Sequence, residues 1–220
     1  MLYTKQILLT KNPIPLFRNT LLILVGPSGS GKSTFAKQYF PSTMTVSTDH
    51  CRAMISDSSM NQRVSDHAFD LFYFIIEKRL LNGYPALADS TALRCKYRFK
   101  LQSIAQKYLY HTMLLLFDLP KEVCLANDKN RRAQVGENVL DRQWYYLEQT
   151  KQELVKEYYD QILVFHSLED IGLFSYQWQP PVPAVNMPPN LPIEPPNLPI
   201  AEPSANGNVA AVQMKPTDQA

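Results

Sequence analysis

Residues Gly26-Pro27-Ser28-Gly29-Ser30-Gly31-Lys32-Ser33 satisfy G-x-x-x-x-G-K-[ST] at every fixed position. They follow the apolar run Leu21-Leu22-Ile23-Leu24-Val25 and open a helical pattern, which is the strand-to-helix setting this string needs in order to work as a site. Glycine permits positive φ and close backbone approach. The N–H groups from Gly26 through Ser28, Gly29, Ser30 and Gly31 to Lys32, Ser33 and Thr34 can therefore converge on phosphate oxygens at a helix N-terminus. Lys32 is spaced to reach the β and γ phosphates, and the Ser33 hydroxyl to ligate Mg²⁺. The expected ligands are ATP and Mg²⁺.

The loop does not name what receives the phosphate. Ser47-Thr48-Asp49-His50-Cys51-Arg52 stands just after a second apolar run, at the strand edge where open parallel sheets bind ligands. There Asp49 can take a hydroxyl proton as general base, and Arg52, three residues on, can hold an anionic acceptor. An aspartate helix cap beside a solvated arginine is the plainer account. Ala86-Leu87-Ala88-Asp89 ends a third apolar run in another acid, placed either to complete a Mg²⁺ shell with Ser33 or to cap the next helix. Farther on, Asn127-Asp128-Lys129-Asn130-Arg131-Arg132 offers Arg131 or Arg132 as a cation to close over a transferring phosphoryl group; the alternative is a basic helix end complementing the macrodipole. Arg94, Lys96, Arg98 and Lys100 spread around a helix start, so most are expected to be solvated.

Elements that could position these groups are legible as alternation. Apolar runs at 21–25, 43–47, 85–89, 113–118 and 161–165 read as strands, with a further short one at 6–10 as an edge or arm. Helical periodicity fills 32–40, 61–82, 93–108, 120–132 and 138–159. This predicts an α/β, three-layer P-loop domain over residues 1–179 with a mostly parallel five-stranded sheet buried on both faces.

Composition divides the chain. Of 17 prolines, 11 lie from Pro180 onward, where Pro188-Pro189-Asn190-Leu191-Pro192-Ile193 recurs as Pro195-Pro196-Asn197-Leu198-Pro199-Ile200. Residues 180–220 therefore read as a Pro-rich tail, polyproline II or disordered, serving either as a solvated linker or as a dock for a partner. With 22 Lys+Arg against 20 Asp+Glu, the net charge of +2 is too weak by itself to argue for nucleic acid. Cys51, Cys95 and Cys124 are far apart and form no C-x-x-C pair, which excludes a disulfide framework or zinc knuckle. No apolar run is long enough for a signal peptide or a membrane span, so a cytoplasmic protein is expected.

Taken in order, the loop, Ser-Thr-Asp-x-x-Arg, Ala-Asp-Ser-Thr with Arg98 nine residues beyond Asp89, and Asn-x-Lys-Asn-Arg resemble the kinase domain of bacterial RNA-repair polynucleotide kinase-phosphatases. The phage-type 5′-hydroxyl polynucleotide kinases are more distant relatives. The resemblance runs from about Leu21 to Phe165. It implies transfer of the ATP γ-phosphate to a 5′-hydroxyl end of RNA or DNA, with Asp49 as general base, Arg52 as acceptor-phosphate clamp, Asp89 as the acid of a D-x-T-N-like motif and Arg131 as a lid arginine. This chain departs from the pattern at Asn127, where the family has an arginine, and at Ala92, where it has asparagine. Two other functions share the same phosphate machinery: a kinase for a metabolite, nucleoside or antibiotic, and a nucleotide-dependent interaction protein whose proline tail docks on an aromatic groove.

Overall fold

In β3 (Thr20–Val25) and β6 (His111–Phe117) every residue is buried, so neither strand shows the alternation of a half-exposed strand. Such continuous apolar runs are stable only at the centre of a parallel sheet covered on both faces, and they lie there in the computed structural model of the protein, which describes residues 5–7, 12–131 and 133–182. The sheet runs β1 (Lys5–Ile7), β7 (Gln161–Phe165), β6, β3, β5 (Ala86–Asp89), β4 (Thr45–Ser47), and every pairing is parallel. The five expected strands are all present, and β1 extends them at the edge beside β7.

Side chains of β3 alternate between two cores, as the two-residue strand period demands. Leu21, Ile23 and Val25 pack with Ala68, Phe72 and Ile76 of α3 (Ser65–Leu81), Leu101 and Ile104 of α4 (Cys95–Lys107) and Leu147 of α6 (Glu137–Glu153). Leu22 and Leu24 pack on the other side with Phe35 and Ala36 of α1 (Lys32–Tyr39) and with Phe117, Phe165 and Phe174. Helix, sheet, helix is thus the layer order. The remaining helices are α2 (Thr48–Ser56), α5 (Lys121–Lys129) and α7 (Leu168–Gly172), the last closed by a capping box between Ser167 and Asp170.

Two short strands escape the sequence reading. β2 (Ile14–Phe17) and β8 (Tyr176–Gln179) form a separate parallel pair. Beyond β8, Val182 exchanges hydrogen bonds with the Asn19 carboxamide, accepting at 2.6 Å and donating at 3.2 Å. The repeat-bearing part of the Pro-rich tail lies outside the described residues.

From β3 the chain goes out to β4, returns to β5 between them, and then crosses to β6 on the opposite side of β3. The connection reverses direction at the C-terminal end of β3, the position where open α/β sheets leave a crevice for ligands. The glycine-rich loop starts at that point.

Candidate active site

Between β3 and α1 the loop is held by its surroundings. Gly26 donates its N–H to Thr91 O at 3.0 Å, and Ser30 donates to Pro27 O at 3.3 Å. At Gly29, with φ of +76°, a Cβ would stand 2.3 Å from the Cys124 carbonyl oxygen of α5. Only glycine admits that approach of one backbone to another. Asn127 on α5 adds a hydrogen bond from Nδ2 to Gly29 O at 2.8 Å. The residue that departs from the family pattern therefore braces the loop.

Lys32 is buried, and its ammonium donates to Pro27 O at 2.6 Å and Ser30 Oγ at 3.1 Å, folded back on its own loop. Burial pushes its amine down to about 8, against the pull of the Asp89 and Asp49 carboxylates; Arg131 pushes it further the same way. All four groups thus share one electrostatic neighbourhood at the sheet's C-terminal edge. Ser33 opens α1 and donates its hydroxyl to Asp89 Oδ2 at 2.8 Å. Burial raises the Asp89 carboxyl, while the Ser33 hydrogen bond and Lys32 hold it down. In register, Asp89 sits opposite Ser47, the last residue of β4, so β4 and β5 end together beside the loop.

Asp49 lies in the first turn of α2, whose N-cap is Ser47, so it is not a cap residue. It forms an ion pair with Arg52, the i,i+3 arrangement expected on one helix face. Arg52 is buried and also donates from Nε to Ser59 O at 2.8 Å, which excludes a solvated arginine there. Asp89 likewise caps nothing, because α4 begins at Cys95 with Arg94 as its N-cap.

Ser33 and Asp89 supply a hydroxyl and a carboxylate, the all-oxygen donor pair suited to a hard cation. Among the described residues there is no group of three or more His, Cys, Asp or Glu side chains that could hold a metal. These two residues fit Mg²⁺ in the way that ion usually binds beside nucleotides, with phosphate and water completing the shell.

Arg131 is half-buried at the end of α5, and Arg132 lies outside the described residues. The segment that follows is organised by Asp128, a buried carboxylate that accepts from the Val135 and Gly136 N–H groups at 3.1 Å each. Sequence reasoning missed Asp128, since a polar residue inside a helix carries no motif. It also missed Gln143 of α6, whose Oε1 accepts from Ser28 N–H in the loop at 2.6 Å. Arg98 differs from expectation as well. It is fully buried, reaching Glu157 at 2.5 Å, Glu153 at 2.7 Å and the Ala92 carbonyl at 2.9 Å. Ala92, at the family's asparagine position, has a left-handed φ of +45°.

A family profile described as AAA domain matches residues 21–150. No curated protein matches the chain. Among solved structures, a chain of the Pnkp1/Rnl/Hen1 RNA repair complex is similar at 25% identity and a TM-score of 0.52, over 64% of this chain and 47% of that one. This protein therefore spans about half the length of that relative. A shikimate kinase from Acinetobacter baumannii (17% identity, TM-score 0.44, 70% of this chain and 87% of that chain) and a gluconokinase from Sinorhizobium meliloti 1021 (18%, 0.46, 72% and 90%) are also similar. Among the described residues no helix is long and apolar enough to cross a membrane.

Proposed function

The chain belongs to the AAA domain family matched over residues 21–150, and from that premise we propose that it is an ATP-dependent kinase transferring the γ-phosphate to the 5′-hydroxyl end of RNA or DNA. One observation carries the reading: Ser33 of the loop donates to Asp89 at 2.8 Å, and Asp89 is in register with Ser47, the N-cap of the helix that holds Asp49 in its first turn, which supports a base and a metal-binding acid working beside the loop lysine. The likeness to a chain of an RNA repair complex supports the choice of acceptor.

In this reading the N–H groups of Gly29, Gly31, Lys32, Ser33 and Thr34 hold the triphosphate, those of Gly26, Ser28 and Ser30 being taken by Thr91 O, Gln143 Oε1 and Pro27 O. Lys32 leaves Pro27 O and Ser30 Oγ to pair with the β and γ oxygens. A lysine desolvated by burial in the loop gains a strong counter-charge there. Ser33 and Asp89 would hold Mg²⁺, which would neutralise charge on the phosphate oxygens. Asp49 accepts the proton of the acceptor hydroxyl as its oxygen bonds to the γ phosphorus. The bond from that phosphorus to the β–γ bridging oxygen breaks, and ADP leaves. Arg52, fixed by Ser59 O, orients Asp49 and faces the acceptor's phosphate. Arg131 meets the charge that spreads over the equatorial oxygens.

The test is labelled-ATP transfer to 5′-hydroxyl RNA, 5′-hydroxyl DNA and nucleosides, side by side. Asp49→Ala is expected to lower transfer to a polynucleotide end by about 10²–10⁴-fold while ATP binding persists. Normal transfer by that variant would remove Asp49 from the chemistry. Transfer to a nucleoside or metabolite alone would identify a small-molecule kinase built on the same loop.

A further inference from the structure

Beside the loop, between the start of α4 and the middle of α6, lies a cavity of about 260 Å³. Two of its walls touch the loop directly: Thr91 accepts from Gly26 N–H, and Gln143 accepts from Ser28 N–H. The remaining polar lining is Arg94 and Tyr97 from α4 and its cap, and Arg142 and Tyr146 from α6. Arg94 lies over the Tyr146 ring, 5.7 Å from its centroid, and Tyr97 is stacked against Phe69 at 4.6 Å with 7° between the planes.

Neither guanidinium has a carboxylate partner among the described residues. Two acids of α6 are engaged elsewhere, Asp141 with Lys121 at 2.6 Å and Glu148 with Lys151 at 2.7 Å. Nor are the walls soft. Arg98 of α4 is buried against Glu153 and Glu157, and Thr150 of α6 donates to Leu93 O at 2.6 Å, so the two helices are clamped immediately behind the cavity. Two unneutralised cations and two aromatic rings on a rigid frame, next to the groups that hold the transferable phosphate, suit a ligand with both an anion and a flat base.

We propose that this cavity binds the acceptor strand downstream of its reacting end, with an internucleotide phosphate between Arg94 and Arg142 and a base against Tyr97 or Tyr146. The proposal rests on the polynucleotide kinase reading and adds the residues by which a strand, as distinct from a small alcohol, is gripped. Each phosphate contact releases condensed counterions, so such binding weakens with salt in proportion to the number of contacts.

The experiment measures binding of a short 5′-hydroxyl single-stranded RNA, fluorescent at its 3′ end, to the full chain by anisotropy across a salt series. Arg94→Ala and Arg142→Ala are each expected to reduce the slope of log affinity against log salt by about 0.7. Tyr146→Ala is expected to weaken binding about five- to hundredfold. Circular dichroism of each variant separates these effects from misfolding, and Arg94→Lys should restore the slope. Folded arginine variants with an unaltered slope, or a wild-type chain that does not bind the RNA, overturn the proposal. Binding with the expected slope losses but no phosphate transfer to that RNA would retain this site and reject the kinase reading.

Discussion

Gly29 and Lys32 show how much of the site depends on single atoms. A methyl group at residue 29 would collide with the Cys124 carbonyl in backbone that a side chain seldom adopts, and no flexible group is there to yield. Gly29→Ala is expected to destabilise the fold by about 1–3 kcal/mol, read from urea unfolding, and to weaken ATP binding by pulling α5 off the loop. Lys32 predicts a pH dependence. With its amine near 8 before ATP binds, the loop should hold ATP progressively more weakly as the pH rises above that value, because the phosphates need the ammonium form. At pH 9 binding should take up close to one proton, measurable by calorimetry in buffers of different ionisation enthalpy; a flat profile from pH 7 to 9.5 would contradict it. Position 29 is one the motif leaves open, and only the Cys124 carbonyl shows why it is glycine, whereas Lys32 was legible in the sequence because the motif fixes its type and spacing. Gln143 was not, because its contact with Ser28 joins residues 115 apart and no periodicity records it.

At the scale of elements, the link between α4 and α6 has the greatest consequence. Arg98 belongs to a basic run most of which is expected to be solvated, yet it is the cation that joins the two helices. Its partner Glu157 also accepts from Tyr159 at 2.7 Å. Breaking a buried pair leaves a bare charge inside the protein, so Arg98→Ala is expected to cost about 3–5 kcal/mol in chemical unfolding. Replacing Arg98 by Met together with Glu157 by Gln should cost less than the alanine variant, because the one carboxylate left without its cation, Glu153, has a side chain 40% exposed to solvent. Sequence could not have foreseen this, as a charge run looks the same whether its members face water or a carboxylate. The strands β3, β5, β6 and β7 were found within two residues of their ends, for a converse reason: burial on both faces forces an unbroken apolar string. β2 and β8 were missed because each has only four residues, one contains Pro15, and each is completed by the other across most of the chain.

Across the whole molecule, that β2–β8 pair joins segments more than 150 residues apart, Ile14–Phe17 and Tyr176–Gln179. Phe40, Phe174, Tyr176 and Trp178 form a run of ring contacts, with Phe40 and Tyr176 stacked at 4.9 Å. Truncation after Ser175 removes β8 and uncovers Ile14 and Leu16, and is expected to lower stability by at least about 2 kcal/mol as judged by the denaturant midpoint. Asp160 adds an acid limit to the same region. Burial would raise its carboxyl, but the hydrogen bonds from His111 and from Thr112 N–H, the latter at 2.7 Å, bring it below the usual value. Its contribution to stability is therefore present above pH 4 and is lost as the pH falls through the depressed value.

Because β2 is made long before β8 and can find its mate only when β8 has been translated, synthesis and folding cannot finish in step. A nascent chain stalled with Ser175 just clear of the ribosome would carry β2 with an open strand edge, available to chaperones or to neighbouring chains. The glycine-rich loop would already have emerged by then. ATP could consequently meet its cradle before the barrel of rings behind α1 has closed.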